Sequence, residues 1–336
     1  MNARRRLAPL FLLLASIAAL PAMAKEVERD YNQRFDVSPG ARLHLVHGDG
    51  DVAIIPWDEP AIEVEVRYRA TARRIGVGSD LDFGVDFRQR GNTVRVEGKE
   101  RGMSGVGIFH VDRHEYLYRV RAPHWVSLEL RGDDGDVVID GWRAAIDVEL
   151  DDGNLRLRDV ALPRDAAGEI ALRVEDGGVE IDGLDGELRF EGDDGELTIL
   201  DCKLRRSRIE ISDGDVMIDR CEGDLTVVCD DGEVRLANLG SGRLEVETED
   251  GDVIAELLAG APDVAIETDD GDVDLELAAG VSARFEVRMD DGRVELELPG
   301  ARGVERREHR LSGTLGDGAG TIAVTTADGR VRLRSR

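Results

Sequence analysis

Eleven Asp-Gly turns, each followed two residues later by Val or Leu, align along the chain, and this repetition constrains the fold more than any other feature. The glycines are Gly50, Gly135, Gly153, Gly177, Gly195, Gly214, Gly232, Gly251, Gly271, Gly292 and Gly329. From Gly135 to Gly292 they recur every 18 to 21 residues, apart from one gap of 24. The positions five before, two after and four after each glycine are apolar, as Val148, Leu155 and Leu157 are around Gly153. Between them stand mostly charged or polar residues. Such period-two alternation marks a strand with one buried face, so each repeat reads as strand, Asp-Gly turn, strand. Glycine suits a turn that needs positive φ, and Asp tolerates the neighbouring position while bonding its own backbone.

A two-strand unit cannot bury its apolar face alone, so the repeats must stack and share a core. Two all-β arrangements place the same residues inside: a parallel β-solenoid with one repeat per coil, or a meander of antiparallel hairpins with type I′ turns. The solenoid is favoured because apolar residues continue past the second strand. Seven residues after the glycine stand Trp142, Val160, Leu184, Cys202, Cys221, Leu239 and Leu258, as a corner pointing inward would require. Residues 25–130 are less regular and are expected to cap or open the stack. Residues 131–336 carry the repeats, and the stretch around Gly329 is expected to form a final irregular coil closing the far end.

The first residues bear on location. Arg4, Arg5 and Arg6 precede an apolar run from Leu7 to Leu20 and a small-x-small ending, Ala22-Met23-Ala24, the layout of a cleavable export signal. Cleavage after Ala24 is expected, and no cysteine follows the cut to carry a lipid anchor. The apolar run is shorter than the roughly 20 residues needed to cross a bilayer, and no later segment is apolar enough, so no membrane span is expected after cleavage. The whole chain carries a net charge of −27; the 24 leader residues hold three Arg and no acid, so the mature chain carries −30. So acidic a protein is unsuited to nucleic acid or anionic lipid headgroups. With 41% hydrophobic residues it is nevertheless too apolar to be a disordered acidic chain.

The stretches FDVSPGARLHLVHGDGDVAIIPWDEPAIEVEV, YLYRVRAPHWVSLELRGDDGDVVIDGW and GTIAVTTADGRVRL, in that order around the serial turns, resemble the bacterial β-strand-repeat "putative adhesin" family, a domain of unknown function. The layout is also similar to that of autotransporter-adhesin-like head domains. The resemblance implies a right-handed, solenoid-like, noncatalytic exported protein, and it supplies no catalytic residue. Where the family's turns read Ser-Gly-Asp, this chain writes Asp-Asp-Gly.

Three function classes follow. A polysaccharide-active β-helix enzyme would need two carboxyl groups in different environments, whereas acids copied turn after turn are how a scaffold is written. Neither GxSxG nor HExxH occurs. His110 and His114, and His44 and His47, fit surface or core positions better than a metal site. The second class, favoured here, is a noncatalytic envelope scaffold presenting a charged face to an envelope protein or a surface glycan. The third is self-assembly through unpaired strand edges, which the Arg of the terminal RLRSR would blunt.

Two further expectations concern particular side chains. In parallel stacking the acids form columns, with Asp133 and Asp134, Asp151 and Asp152, Asp193 and Asp194, Asp230 and Asp231, Asp269 and Asp270, and Asp290 and Asp291 side by side. Neighbours about 4.8 Å apart repel by about 0.9 kcal/mol even in water, so nine stacked Asp cost about 7 kcal/mol before screening. Backbone hydrogen bonds and outward Arg such as Arg156, Arg173 and Arg235 can offset this; the alternative is weak calcium sites between the columns. No other cofactor is expected. Of three cysteines, Cys202 and Cys221 share one position of adjacent repeats and are the disulfide candidates, leaving Cys229 over.

Overall fold

The computed structural model describes residues 23–78, 82–101, 105–166, 168–240 and 242–336, leaving aside the side chains of 23–25, 72–78, 101 and 105–113. Of the expected leader, residues 1–24, all but Met23 and Ala24 lie outside the described residues. The described chain has 28 strands and no helix, and the strands join edge to edge in one long sheet.

Through the repeats the pairing is parallel. Ile146–Asp152 lies between Ser127–Asp134 and Ile170–Asp176, so that Val148 faces Leu130 and Leu172. Beyond the turn, Leu155–Arg158 lies between Val137–Asp140 and Val179–Asp182, with Leu157 between Ile139 and Ile181. Residues one repeat apart are therefore neighbours, and the two arms of a turn pair with other repeats rather than with each other. This excludes the hairpin meander for the repeats. Parallel register keeps each aliphatic beside its own equivalents, so similar shapes pack in continuous rows. The row two residues after each glycine shows it: Val52, Val137, Leu155, Val179, Leu197, Val216, Val234, Val253, Val273 and Val331 are all buried. Burying each such side chain contributes about 1.5–3 kcal/mol. Val294, on an edge strand, is only half-buried.

A second corner follows each repeat's second strand. Six residues after the turn glycine the backbone is left-handed, at Gly141, Asp159, Gly183, Asp201, Arg220 and Asn238. This turns the next side chain inward, and Trp142, Val160, Leu184, Cys202, Cys221 and Leu239 are buried as expected. Leu258 breaks the row. It is 44% exposed and Leu257 takes the inner place, because the register slips between Leu236 and Leu239 and sets Leu239 against Leu257.

The two ends are built differently. Near the N-terminus, Ala61–Gly78 pairs antiparallel with Met23–Asp36 and with Gly105–Ala122, while Asp82–Arg90 and Thr93–Arg101 form a hairpin laid against Arg42–Asp49. At the other end the expected order fails. Gly320–Asp328 pairs with Asp263–Asp270 on one side and Ala283–Met289 on the other, and Arg330–Ser335 likewise lies between Val273–Leu277 and Arg293–Glu297. The last strands of the chain are thus inserted one place inside the stack. Charge explains the choice: Arg332 reaches both Asp274 and Glu295 at 3.2 Å, and Arg334 reaches Asp274 and Glu276 at 3.1 and 3.0 Å. A basic strand placed between two acidic ones relieves both. The terminal Arg therefore do not blunt an edge. At this end the edges among the described residues are Arg293–Glu297 and Arg302–Arg307, the latter exposed along its whole length and paired on one side, to Arg310–Leu315.

Candidate functional site

The Asp-Gly turns stack into one line running the length of the molecule. A Cβ added to any turn glycine from Gly135 onward would lie closer than 3.0 Å to a backbone atom of the glycine before it in space. That order is Gly50, Gly135, Gly153, Gly177, Gly195, Gly214, Gly232, Gly251, Gly271, Gly329, Gly292, again with the C-terminal strands inside. Most of these glycines also have positive φ, from 117° at Gly50 to 146° at Gly329, whereas Gly214, Gly251 and Gly271 do not. At those three, close backbone approach alone demands glycine.

Beside the glycines runs the expected column of acids. Asp49 pairs in register with Asp134, Asp152 with Asp176, then Asp194, Asp213, Asp231 and Asp250 in turn, and Asp270 with Asp328. All twelve aspartates considered for cation binding are solvent-exposed. Desolvation and the charges of Asp194 and Asp152 push the Asp176 carboxyl above its usual range. Desolvation, then Asp134 and Asp133, do the same to Asp49. Among the described residues no group of three or more His, Cys, Asp or Glu side chains is placed to hold a metal ion.

What relieves the repulsion is partly different from what the sequence suggests. Arg156, Arg173 and Arg235 pair with Glu180, Glu191 and Glu233 rather than with the aspartates of the column. The residue just after the turn glycine supplies a second device. The Asp51 carboxylate accepts the backbone N–H of Asp136 at 3.1 Å, Asp215 that of Glu233 at 2.9 Å, Asp252 that of Asp272 at 2.8 Å, and Asp272 that of Arg330 at 2.8 Å. Asn154 continues the series by accepting from Gly178 at 3.0 Å. These acids are staples between repeats, holding backbone donors that would otherwise be unpaired at the turn. The signal was visible in the spelling Asp-Gly-Asp and Asp-Gly-Asn, whose third residue is a short acceptor.

Among the described residues the raised carboxyls are not found in a cleft. A groove of about 500 Å³ is lined by Arg173, Glu191, Arg208 and Glu210 among others. In it, hydrogen bonds from Arg189 and Arg173 hold Glu191 below the usual carboxylate range. The two raised carboxyls, Asp49 and Asp176, stand on the turn column instead.

The histidines separate. His44 pairs with Glu129 at 3.0 Å, and His114 lies 3.7 Å from Glu100 and 3.5 Å from the Tyr116 hydroxyl. The His110 side chain lies outside the described ones. His47 is 2% exposed, and neither ring nitrogen has a hydrogen-bond partner. Its ring occupies the space over Gly132, where a Cβ would strike it, and burial lowers its pKa to about 4. Sequence spacing gave no hint of this, although Gly132 and Gly98, both in strands, mark where His47 and Tyr118 need room. The three cysteines are free and buried.

Comparison with known proteins comes to rest on a family. No curated protein matches the chain. Among solved structures it is similar to a "putative adhesin" from Bacteroides fragilis NCTC 9343, at 10% identity over 92% of this chain and 97% of that one, TM-score 0.33. It is similar also to a "putative lipid binding protein" from Parabacteroides distasonis ATCC 8503, at 11% identity over 91% and 97%, TM-score 0.33. A third, a "putative cell adhesion protein" from Clostridium sporogenes ATCC 15579, shares 10% over 92% and 100%, TM-score 0.19. The family model described as Toastrack DUF4097 matches residues 42–334, nearly the whole repeat-bearing region and the N-terminal strands with it. The chain belongs to the Toastrack DUF4097 family.

Proposed function

We propose that this is an exported, noncatalytic protein of the bacterial cell envelope, an adhesin-like binding or structural scaffold. In this reading residues 25–130 form the N-terminal segment and 131–336 the repetitive body of a right-handed β-solenoid with about 19 residues per coil. The observation that carries it is the use to which the repeated turn is put. Glycine is consumed by backbone stacking, and the acid after it by stapling the next repeat, which leaves the exposed aspartate column as a solvated face. Membership of the Toastrack family and the arginine-shaped signal at residues 1–24 agree with this reading. Its partner is an envelope protein or a surface glycan.

The test is a binding and turnover panel on the purified mature protein, with immobilised peptidoglycan, lipopolysaccharide and capsular polysaccharide as probes. Saturable binding to one probe without release of new reducing ends is the expected result. Steady release of reducing ends would reverse the reading in favour of a polysaccharide-active enzyme. Two narrower points belong to the same proposal. Calcium along the aspartate column would have to be held by pairs of exposed carboxylates, which gives weak sites. Self-association has one specific support, the fully exposed edge strand Arg302–Arg307.

A further inference from the structure

The second corner of the repeats places two thiols on top of one another. Cys202 and Cys221 each follow a left-handed residue, Asp201 and Arg220, and the strands beyond them pair Lys203 with Glu222. The Glu222 N–H donates to the Cys202 carbonyl at 3.0 Å, and the Cys202 N–H donates to the Cys221 sulfur at 3.4 Å. Outside, Arg220 clamps Asp201 with bonds of 2.7 and 2.8 Å, which pins the two corners in register. Adjacent strands put equivalent Cα atoms about 4.8 Å apart, within the window a disulfide needs. Each thiol donates to the carbonyl two residues before it, Cys202 to Leu200 at 3.0 Å and Cys221 to Asp219 at 3.4 Å, so equivalent contacts hold the two sulfurs at the same place in adjacent corners.

Cys229 is excluded as a partner. It registers with Ile211 and Thr248, in a different row, and its thiol lies beneath the Asp-Gly turn against the Gly214 and Asp231 carbonyls.

We propose that Cys202 and Cys221 close a disulfide between neighbouring repeats during oxidative folding, and that Cys229 stays a thiol. One S–S bond forms from two S–H bonds. The two protons and two electrons pass to the disulfide of an external thiol oxidant, which leaves as two thiols. Because Cys202 and Cys221 are 1% and 3% exposed, the exchange happens before the repeats close over them. In the cell the oxidant is met only on export, and that part rests on the proposed function; the pairing itself does not.

The test is oxidative refolding of the full chain. The protein is unfolded under reductant, refolded with glutathione disulfide, alkylated in denaturant and digested without reduction. Trypsin leaves Cys221 and Cys229 on one peptide, so a protease cutting at acids must be added to separate them at Glu222 and Asp224. The expected product joins the Cys202 and Cys221 peptides with Cys229 alkylated, and Cys229→Ser leaves it unchanged. Reductant should lower the melting temperature by roughly 5 °C in the wild type and in Cys229→Ser, but not in Cys202→Ser. A Cys221–Cys229 bridge, or three alkylated cysteines in refolded protein, overturns the proposal. A bridge formed by refolding but missing from protein recovered from cells supports the pairing and counts against export.

Discussion

A turn glycine here answers to two demands at once, its own φ and the carbonyl of the glycine stacked beneath it. Gly177 has φ 144°, and a Cβ there would collide with the Gly153 backbone, which cannot move without disturbing a whole repeat. Gly177→Ala is expected to cost at least about 3 kcal/mol. Gly91, with φ 58° and open space around its Cβ position, separates the two causes: Gly91→Ala should cost only about 1 kcal/mol. Equal losses, measured by chemical unfolding, would remove the stacking argument. His47 is the other residue with a measurable signature. Its folded pKa of about 4 lies below the ordinary 6.5, so the unfolded chain binds the proton more readily. Stability from this group is therefore complete above pH 6.5 and is lost as pH falls toward 4, by roughly 2.5 kcal/mol at pH 4.5. Asp49 and Asp176, whose carboxyls are raised, act in the opposite sense, gaining stability as they protonate. His47→Leu removes an unpartnered polar ring from the core and should flatten the loss between pH 7 and 4.5. An unchanged pH slope in the variant would assign acid sensitivity elsewhere.

At the scale of strands, the repeat's interior was legible because the period-two pattern and the parallel rows describe the same residues, Val148 against Leu130 and Leu172 being typical. Two things were not legible, for different reasons. The exchange of Leu258 for Leu257 follows from a one-residue register slip, which a count from the glycine cannot register. The insertion of the last strands reflects spatial order that sequence spacing does not encode, although the basic spelling Arg330-Val331-Arg332-Leu333-Arg334 between acidic strands was a usable charge signal. The staples at Asp51, Asp215, Asp252 and Asp272 were equally visible as letters, but their role requires knowing that the repeats stack in parallel. The insertion is testable by charge. Arg332→Glu would face Asp274 and Glu295 in a setting where all three side chains are about a quarter to a third exposed. It should cost about 2 kcal/mol and loosen hydrogen-exchange protection in Ala283–Met289 and Arg293–Glu297. Unchanged protection there would mean that charge does not hold the inserted strands.

Across the whole molecule, part of a strongly acidic charge is laid out as a line, the aspartate column running beside the glycine spine through the stack. A line of like charges is screened by any salt, whereas a line of binding sites responds to the right cation. That contrast decides what the repeated turn is for. Thermal unfolding of the purified protein should be followed at low salt, in millimolar calcium chloride, and in sodium chloride of matched ionic strength. If the turns are architecture with a solvated acidic face, the melting temperature rises with ionic strength and the calcium and sodium curves coincide. A melting temperature several degrees higher in calcium than in matched sodium would contradict this, and would make the acidic column a cation-binding site.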